Sequence, residues 1–266
     1  MRMDVGATGP PHNVLLFVVD DLRPWIGVYN ESWMSTPHID ELASGGTVFS
    51  SAYANQAVCG PSRISFLTGR RPDSTRLYDF GSYWRQAAGN FSTLPEWFRA
   101  HGFHTASVGK VFHPISAMKK AGHTDDMPYS WSVPPYHPPS HTFKNAPVCN
   151  NTDTDPRVPD DGHLHSNLVC PLDCNGTSCP AQPDGALPDM QTAEEAARLL
   201  AGELRGATPF FLAVGFHKPH VPFKFPRAFL GRYPLDAVPL PNVTSRARPS
   251  GMPPVSWDSW DSVRSL

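Results

Sequence analysis

Val14-Leu-Leu-Phe-Val-Val19 is an unbroken apolar run that stops at Asp20-Asp21. A run without alternation predicts a strand buried on both faces of a parallel sheet. A second run, 209–216, ends at His217-Lys-Pro-His220, and a shorter one, 105–108, ends at Gly109-Lys110. Residues 47–53 read as a further strand. Between these runs the apolar spacing becomes helical. Ile39, Leu42 and Ala43 predict a short helix after Thr36-Pro37, ended by Gly45-Gly46. Pro61 pre-sets φ for another helix start, 62–67 forms its first turns, and Gly69 suits its end. Residues 94–100 predict a helix between Thr93 and Gly102, and Thr192-x-x-Glu195 predicts a capping box that opens a helix over 192–204, stopped by Gly206. Strand–helix alternation of this kind predicts an α/β fold with a mostly parallel sheet flanked by helices.

The stretch at about 114–190 breaks that rhythm. It is rich in proline, of which the chain has 30, and it holds Cys149, Cys170, Cys174 and Cys179. The fifth cysteine, Cys59, stands apart. Four clustered cysteines and one isolated one predict two disulfides and one reactive residue. Of the possible pairings, the short Cys174-Asn-Gly-Thr-Ser-Cys179 loop favours local closure, which leaves Cys149 for Cys170. A zinc site fits less well, because no C-x2-C pair is present. Sequons begin at Asn30, Asn90, Asn150, Asn175 and Asn242. Together with the cysteines they favour an oxidising secretory route. The first 12 residues form a short tail without the apolar core of a signal peptide, so the chain's true start is expected upstream.

A length of 266 residues allows one sizeable core. A net charge of −2 gives no reason to expect a nucleic-acid partner. No apolar run approaches the roughly 20 residues of a membrane span.

Polar residues follow three of the expected strands at once: Asp20 and Asp21, then Lys110 and His113, then Lys218 and His220. Open α/β sheets bind ligands at the carboxyl ends of their strands. Adjacent carboxylates there are a ligand set for a hard cation, although a solvated turn uses aspartate in the same way. Each lysine or histidine taken alone reads as a surface or core residue, and His217 reads as structural. Cys59 falls at the start of a helix, where the backbone favours an anion, and Arg63 can fork onto oxyanions.

Cys59-Gly-Pro-Ser-Arg63 followed by Leu67-Thr-Gly-Arg70 resembles the signature of the type I sulfatase family. The likeness continues through Gly69-Arg-Arg-Pro-Asp-Ser-Thr-Arg-Leu-Tyr-Asp-Phe80, Ser82-Tyr-Trp-Arg85, Val108-Gly-Lys-Val-Phe-His-Pro114, His123-Thr-Asp-Asp126 and Phe210-Phe-Leu-Ala-Val-Gly-Phe-His-Lys-Pro-His220. These stretches are similar to the branch of the family that acts on 2-O-sulfated iduronate, over roughly residues 13–264. The Cys174/Cys179 pair departs from that pattern.

The resemblance implies an alkaline-phosphatase-like fold and a sulfuric ester hydrolase. It would remove the 2-O-sulfate of terminal iduronate in dermatan or heparan sulfate, in the lysosome or after secretion. It implies that a formylglycine-generating enzyme oxidises Cys59 to formylglycine. One hydroxyl of the hydrated aldehyde attacks sulfur and the other later expels sulfate. It implies one calcium ion held by Asp20, Asp21 and residue 59, with Arg63, Lys110 and Lys218 around the sulfate oxygens. His113 would orient or deprotonate the nucleophile, and His220 would protonate the leaving alcohol. The family's later S-D-H-G-type motif is not found here. The expectation is therefore a partial catalytic domain over 13–266, incomplete at its C-terminal side and inactive alone. The alternatives are a sulfatase acting on another sulfated polysaccharide, a relative acting on a phosphate or phosphonate ester, and a non-catalytic glycoprotein that binds sulfated glycans through Arg63, Lys110 and Lys218.

Overall fold

The computed structural model describes residues 12–87, 89–114, 120, 122, 124–154, 159–206, 209–234, 237–238, 247–248 and 250–253. The tail before His12, His123 and Asn242 lie outside the described residues. The chain divides into two compact units, Met1–Leu230 and Gly231–Leu266, and the elements named below lie in the first.

Their order is β1 (Val14–Val19), α1 (Pro37–Ser44), α2 (Cys59–Thr68), α3 (Pro72–Thr75), α4 (Trp84–Ala87), α5 (Leu94–Ala100), β2 (His104–Gly109), β3 (Cys149–Asn150), α6 (Asn151–Thr154), β4 (Leu164–His165), β5 (Cys170–Leu172), α7 (Pro188–Ala201), β6 (Phe210–Phe216) and β7 (Lys224–Pro226). β1, β6 and β2 form a sheet in that spatial order, and both pairings are parallel. The last of these three strands in sequence, β6, therefore lies in the middle, and its apolar run is the most enclosed. Its side chains alternate between two cores. Phe211 and Ala213 join Ile64 and Leu67 of α2, Trp84, Phe112 and Trp131 on one face. Phe210, Leu212 and Val214 join Val108, Ala196 and Leu199 on the other.

β1 corrects one expectation. Val14 and Leu16 pack against the first core, but Leu15 and Phe17 on the other face are 41% and 51% exposed. No described element covers that face, so β1 is half-buried despite its unbroken apolar run. Residues 47–53 correct another. They form no strand and are exposed throughout, because β1 pairs only with β6 among the described residues.

The helices follow local chemistry. α2 begins after extended Val58 and ends at Gly69, whose φ of 64° lets its N–H reach Ser65. α5 carries a reciprocal cap between Thr93 and Glu96. α7 opens at Pro188, four residues before the expected start, and ends at Ala201. Pro188 brings its own helical φ, and extended Leu187 precedes it. Thr192 is thus an interior residue, fully buried. Its spacing to Glu195 is an ordinary i,i+3 pair rather than a cap.

The expected insertion is ordered and tied where it is described. Cys149–Cys170 and Cys174–Cys179 are bonded, and Cys59 is free. Arg85 anchors its start by pairing with buried Asp126 at 2.6 Å and with Glu96 of α5 at 2.8 Å. Among the described residues, no helix is long and apolar enough to cross a membrane.

Two glycines let the strand ends close up. Gly109 and Gly215 are paired in register, and the Lys110 N–H donates to the Gly215 carbonyl at 2.9 Å. A Cβ on Gly215 would lie 2.0 Å from the Lys110 carbonyl oxygen. Gly215→Ala should therefore force the Lys110 turn off β6, at a cost of about 1–3 kcal/mol. Urea unfolding should show a lower midpoint with an unchanged slope. An unaltered midpoint would show that the two backbones are free to separate.

Candidate active site

The Asp20 N–H donates to the Phe216 carbonyl at 3.0 Å, which extends the β1 ladder by one residue and fixes Asp20 at the sheet's carboxyl edge. Its side chain is 3% exposed. Oδ1 accepts from Arg63 Nη2 at 2.7 Å, and Oδ2 accepts from Lys110 Nζ. Burial alone would raise the Asp20 pKa. The hydrogen bonds from Lys110 and Arg63, and then their charges, outweigh it and hold the value at about 2. Asp20 is an anion across the physiological range.

Asp21 has a positive φ of 57°, a conformation that aspartate tolerates better than most residues. Its side chain is 51% exposed. The turn presents Oδ1 to the Cys59 thiol, whose Sγ donates across 3.6 Å. Cys59 is the first residue of α2 and half-buried. Burial pushes its pKa up to about 11, with Asp20 and Asp21 adding to the rise against an opposing effect of Lys110. Cys59 is thus a thiol at neutral pH, unsuited to act as a thiolate nucleophile.

His220 completes the cluster. Its Nδ1 lies 2.7 Å from the Val221 carbonyl, so Nδ1–H donates there and Nε2 is left facing the carboxylates. Nε2 is 3.7 Å from Asp21 Oδ2 and 4.0 Å from Asp20 Oδ2. Donor atoms of Asp20, Cys59 and His220 lie within 4.8 Å of one another. Beside them opens a cleft of about 420 Å³, lined by Asp20, Asp21, Cys59, Ser62 and Phe66 among others.

The remaining expected residues divide. Arg63 is buried; its Nη2 donates to Asp20 and its Nη1 to the carbonyls of Lys110 and, at 2.8 Å, Val111, while Nε has no partner among the described residues. The fork expected on a sulfate oxyanion is occupied by protein. Lys110 pairs with Asp20 at the cluster itself. His113 lies tilted against Phe80, with ring centroids 4.8 Å apart, and has a buried Nδ1 without a partner among the described residues. Burial, then the charges of Lys110 and Arg63, lower its pKa to about 4, so its ring is neutral above that pH. Lys218 is turned aside. Its ammonium donates to the His220 and Pro222 carbonyls, and burial lowers its pKa to about 8.

Asp189 was not foreseen as part of this neighbourhood. It accepts the backbone N–H groups of His217 at 2.7 Å and Lys218 at 2.8 Å, and so shapes the loop that carries His220. Its signal was an acid just after a proline, in the first turn of a helix. His217, read as structural, lies 3.5 Å from the same carboxylate.

A divalent cation fits the chemistry of this donor set. Two adjacent carboxylates lie beside residue 59, one buried and charged at all ordinary pH values. Hard cations prefer oxygen, which favours the carboxylates of Asp20 and Asp21 over the His220 nitrogen.

A family model described as Sulfatase matches residues 12–247. The chain is 52% identical over 256 residues to "Iduronate 2-sulfatase" from Homo sapiens, and 51% identical over 256 residues to the Mus musculus protein of that name. Each alignment covers 95% of this chain and 42% of the relative, so the chain spans under half the length of these proteins. Among solved structures, a phosphonate monoester hydrolase from Silicibacter pomeroyi superposes with a TM-score of 0.60 at 21% identity. That superposition covers 89% of this chain and 47% of the other, and it identifies the shared fold.

The depressed pKa of Asp20 has a measurable consequence. A carboxylate held near 2 against an ordinary 3.8 contributes about 2 kcal/mol of stability. That contribution is present above the ordinary value and is lost as pH falls toward 2. The difference in unfolding free energy between the wild type and Asp20→Asn should therefore shrink by about 2 kcal/mol between pH 6 and pH 2. A constant difference would show that Asp20 is not held as a paired anion.

Proposed function

The chain belongs to the sulfatase family, and we propose that it carries the reacting groups of a sulfuric ester hydrolase for the 2-O-sulfate of terminal iduronate in dermatan and heparan sulfate. The observation that supports this most directly is Cys59. It sits at the start of α2 as a free, protonated thiol, between a carboxylate pair and an imidazole nitrogen. A thiol with a pKa of about 11 is a poor nucleophile in itself, yet it stands where an anionic ester would meet a helix N-terminus. Oxidation of Cys59 by a formylglycine-generating enzyme resolves this. The hydrated aldehyde would supply an oxygen nucleophile and a second hydroxyl for sulfate release.

Asp20 and Asp21 would hold one calcium ion, which when bound lends Lewis acidity to a sulfate oxygen. Lys110 places an ammonium at the same edge. Arg63 acts at one remove, holding Asp20 and the backbone after β2 in position. His113, neutral above about pH 4, accepts a proton from the hydroxyl on residue 59. His220 has its Nδ1–H committed to Val221, so a proton on Nε2 is directed at the cluster and can pass to the departing sugar oxygen. Lys218 stabilises the His220 loop through its bonds to main-chain carbonyls. The two disulfides and the need for formylglycine agree with a secretory and lysosomal route.

Two experiments test this reading. The tryptic peptide containing residue 59, from protein made in a host with the generating enzyme, should carry an aldehyde by mass spectrometry. Only unmodified cysteine there would remove the nucleophile. In the full-length protein His220→Gln should lower kcat on the sulfated sugar by about 10²–10⁴. It should lower kcat much less on an aryl sulfate, whose phenolate leaves without a proton. Equal losses on both substrates would exclude His220 as the leaving-group acid, and no turnover of either by the wild type would leave a glycan-binding protein.

A further inference from the structure

The loop after β6 carries His220 on irregular backbone, where a side chain ordinarily has more freedom than on a strand or helix. Several bonds close this loop on itself. The His220 N–H donates to the His217 carbonyl at 2.9 Å, and the Lys218 ammonium donates to the His220 and Pro222 carbonyls. Such bonds give the loop a shape, but they move with it. They do not set where His220 points relative to the carboxyl edge of the sheet.

Asp189 supplies that reference. It is the second residue of α7, after Pro188, and its side chain is 20% exposed. Its two oxygens take different partners. Oδ1 accepts the His217 N–H at 2.7 Å, and Oδ2 accepts the Lys218 N–H at 2.8 Å. One carboxylate thus holds two successive amides just before His220. Burial alone would raise the Asp189 pKa, but the His217 ring and these two N–H groups outweigh it and lower the value, so the acceptor is an anion. The helix is itself anchored. Ala196 and Leu199 share a core with Val108 and Leu212, and the Cβ that Gly109 lacks would lie 3.0 Å from Thr192. The helix that grips the His220 loop therefore also packs on the end of β2 that leads into Lys110.

We propose that Asp189 is a positioning residue for the leaving-group acid: by clamping the His217 and Lys218 amides to α7, it fixes the aim of His220 Nε2. This rests on the sulfatase reading above and on the part given there to His220. The clamp needs a carboxylate. An amide at this position offers one oxygen, and its NH2 would meet the second N–H donor against donor. Misplacing a catalytic group by about 1 Å costs on the order of 10² in rate. That loss belongs only to reactions in which the leaving oxygen needs a proton.

Steady-state kinetics of the full-length protein on the sulfated sugar and on an aryl sulfate provide the test. Asp189→Asn should lower kcat on the sugar by about tenfold to a hundredfold, with KM changed by less than about threefold. Its effect on kcat for the aryl sulfate should stay below about threefold. In a His220→Gln background the same substitution should have almost no further effect on the sugar. A purely structural residue would weaken both substrates alike, and would do so with or without His220. Asp189→Glu keeps the charge and both oxygens but shifts them by one methylene. It should show the same selectivity with a smaller loss, and it decides the matter if thermal unfolding shows the amide variant to be unfolded. An unchanged kcat on the sugar, equal losses on both substrates, or full additivity with His220→Gln would overturn the positioning role and leave the sulfatase reading standing. If His220→Gln itself fails to separate the two substrates, the acid assignment falls and this role falls with it.

Discussion

The ion triad of Asp20, Arg63 and Lys110 governs where everything else in the site can be. Three elements far apart in sequence meet in it: the end of β1, the second turn of α2 and the turn after β2. Two of its members are almost completely buried, and burying charge is costly unless the partners are well placed. The guanidinium adds bonds to the Lys110 and Val111 carbonyls, so it holds backbone as well as charge. Residues four apart share a helix face. Fixing Arg63 therefore fixes Cys59 one turn earlier and aims it at the carboxyl edge of the sheet.

Around that fixed point, exposure sorts the ionisable groups into different states. Neighbouring carboxylates become unlike: Asp20 is buried and permanently charged, and Asp21 is half in solvent and free to meet a ligand. Two histidines also become unlike. His113 is kept neutral by burial and nearby cations, and His220 has its tautomer set by a main-chain carbonyl. The same low-polarity setting keeps the Cys59 thiol protonated. Residue types that behave alike in water are thus set apart by burial and by their neighbours.

The features legible in the sequence were those with a local physical cause. The strand ends at Asp20 and Gly109, the α2 boundary at Gly69, the Thr93 cap and the Cys174–Cys179 bridge each follow from residues a few positions apart, and closing that local bridge leaves Cys149 for Cys170, 21 positions away. What was illegible depends on distant partners. The apolar run of β1 reads as doubly buried, but only the other strands and helices decide that Leu15 and Phe17 face outward. The Thr192 spacing matches a cap until Pro188 starts the helix earlier. Arg63 looks like an anion receptor until the fold brings Asp20 against it. Lys218 looks like one until the backbone it lies on folds under its own ammonium.

The polar edge of the sheet and the insertion rest on different kinds of structure. The groups at Asp20, Cys59 and Lys110 hang from the β1–β6–β2 sheet and α2, which share continuous apolar cores. The insertion lies between β2 and α7. That segment is held by two disulfides, by Arg85 on Asp126 and by a small cluster around Cys149, Cys170 and Leu172. Such anchors tie the segment at a few points and leave its sequence free to vary between them. The sheet cannot change its polar edge without breaking the ion triad. The insertion can exchange one exposed side chain for another at little cost to the core.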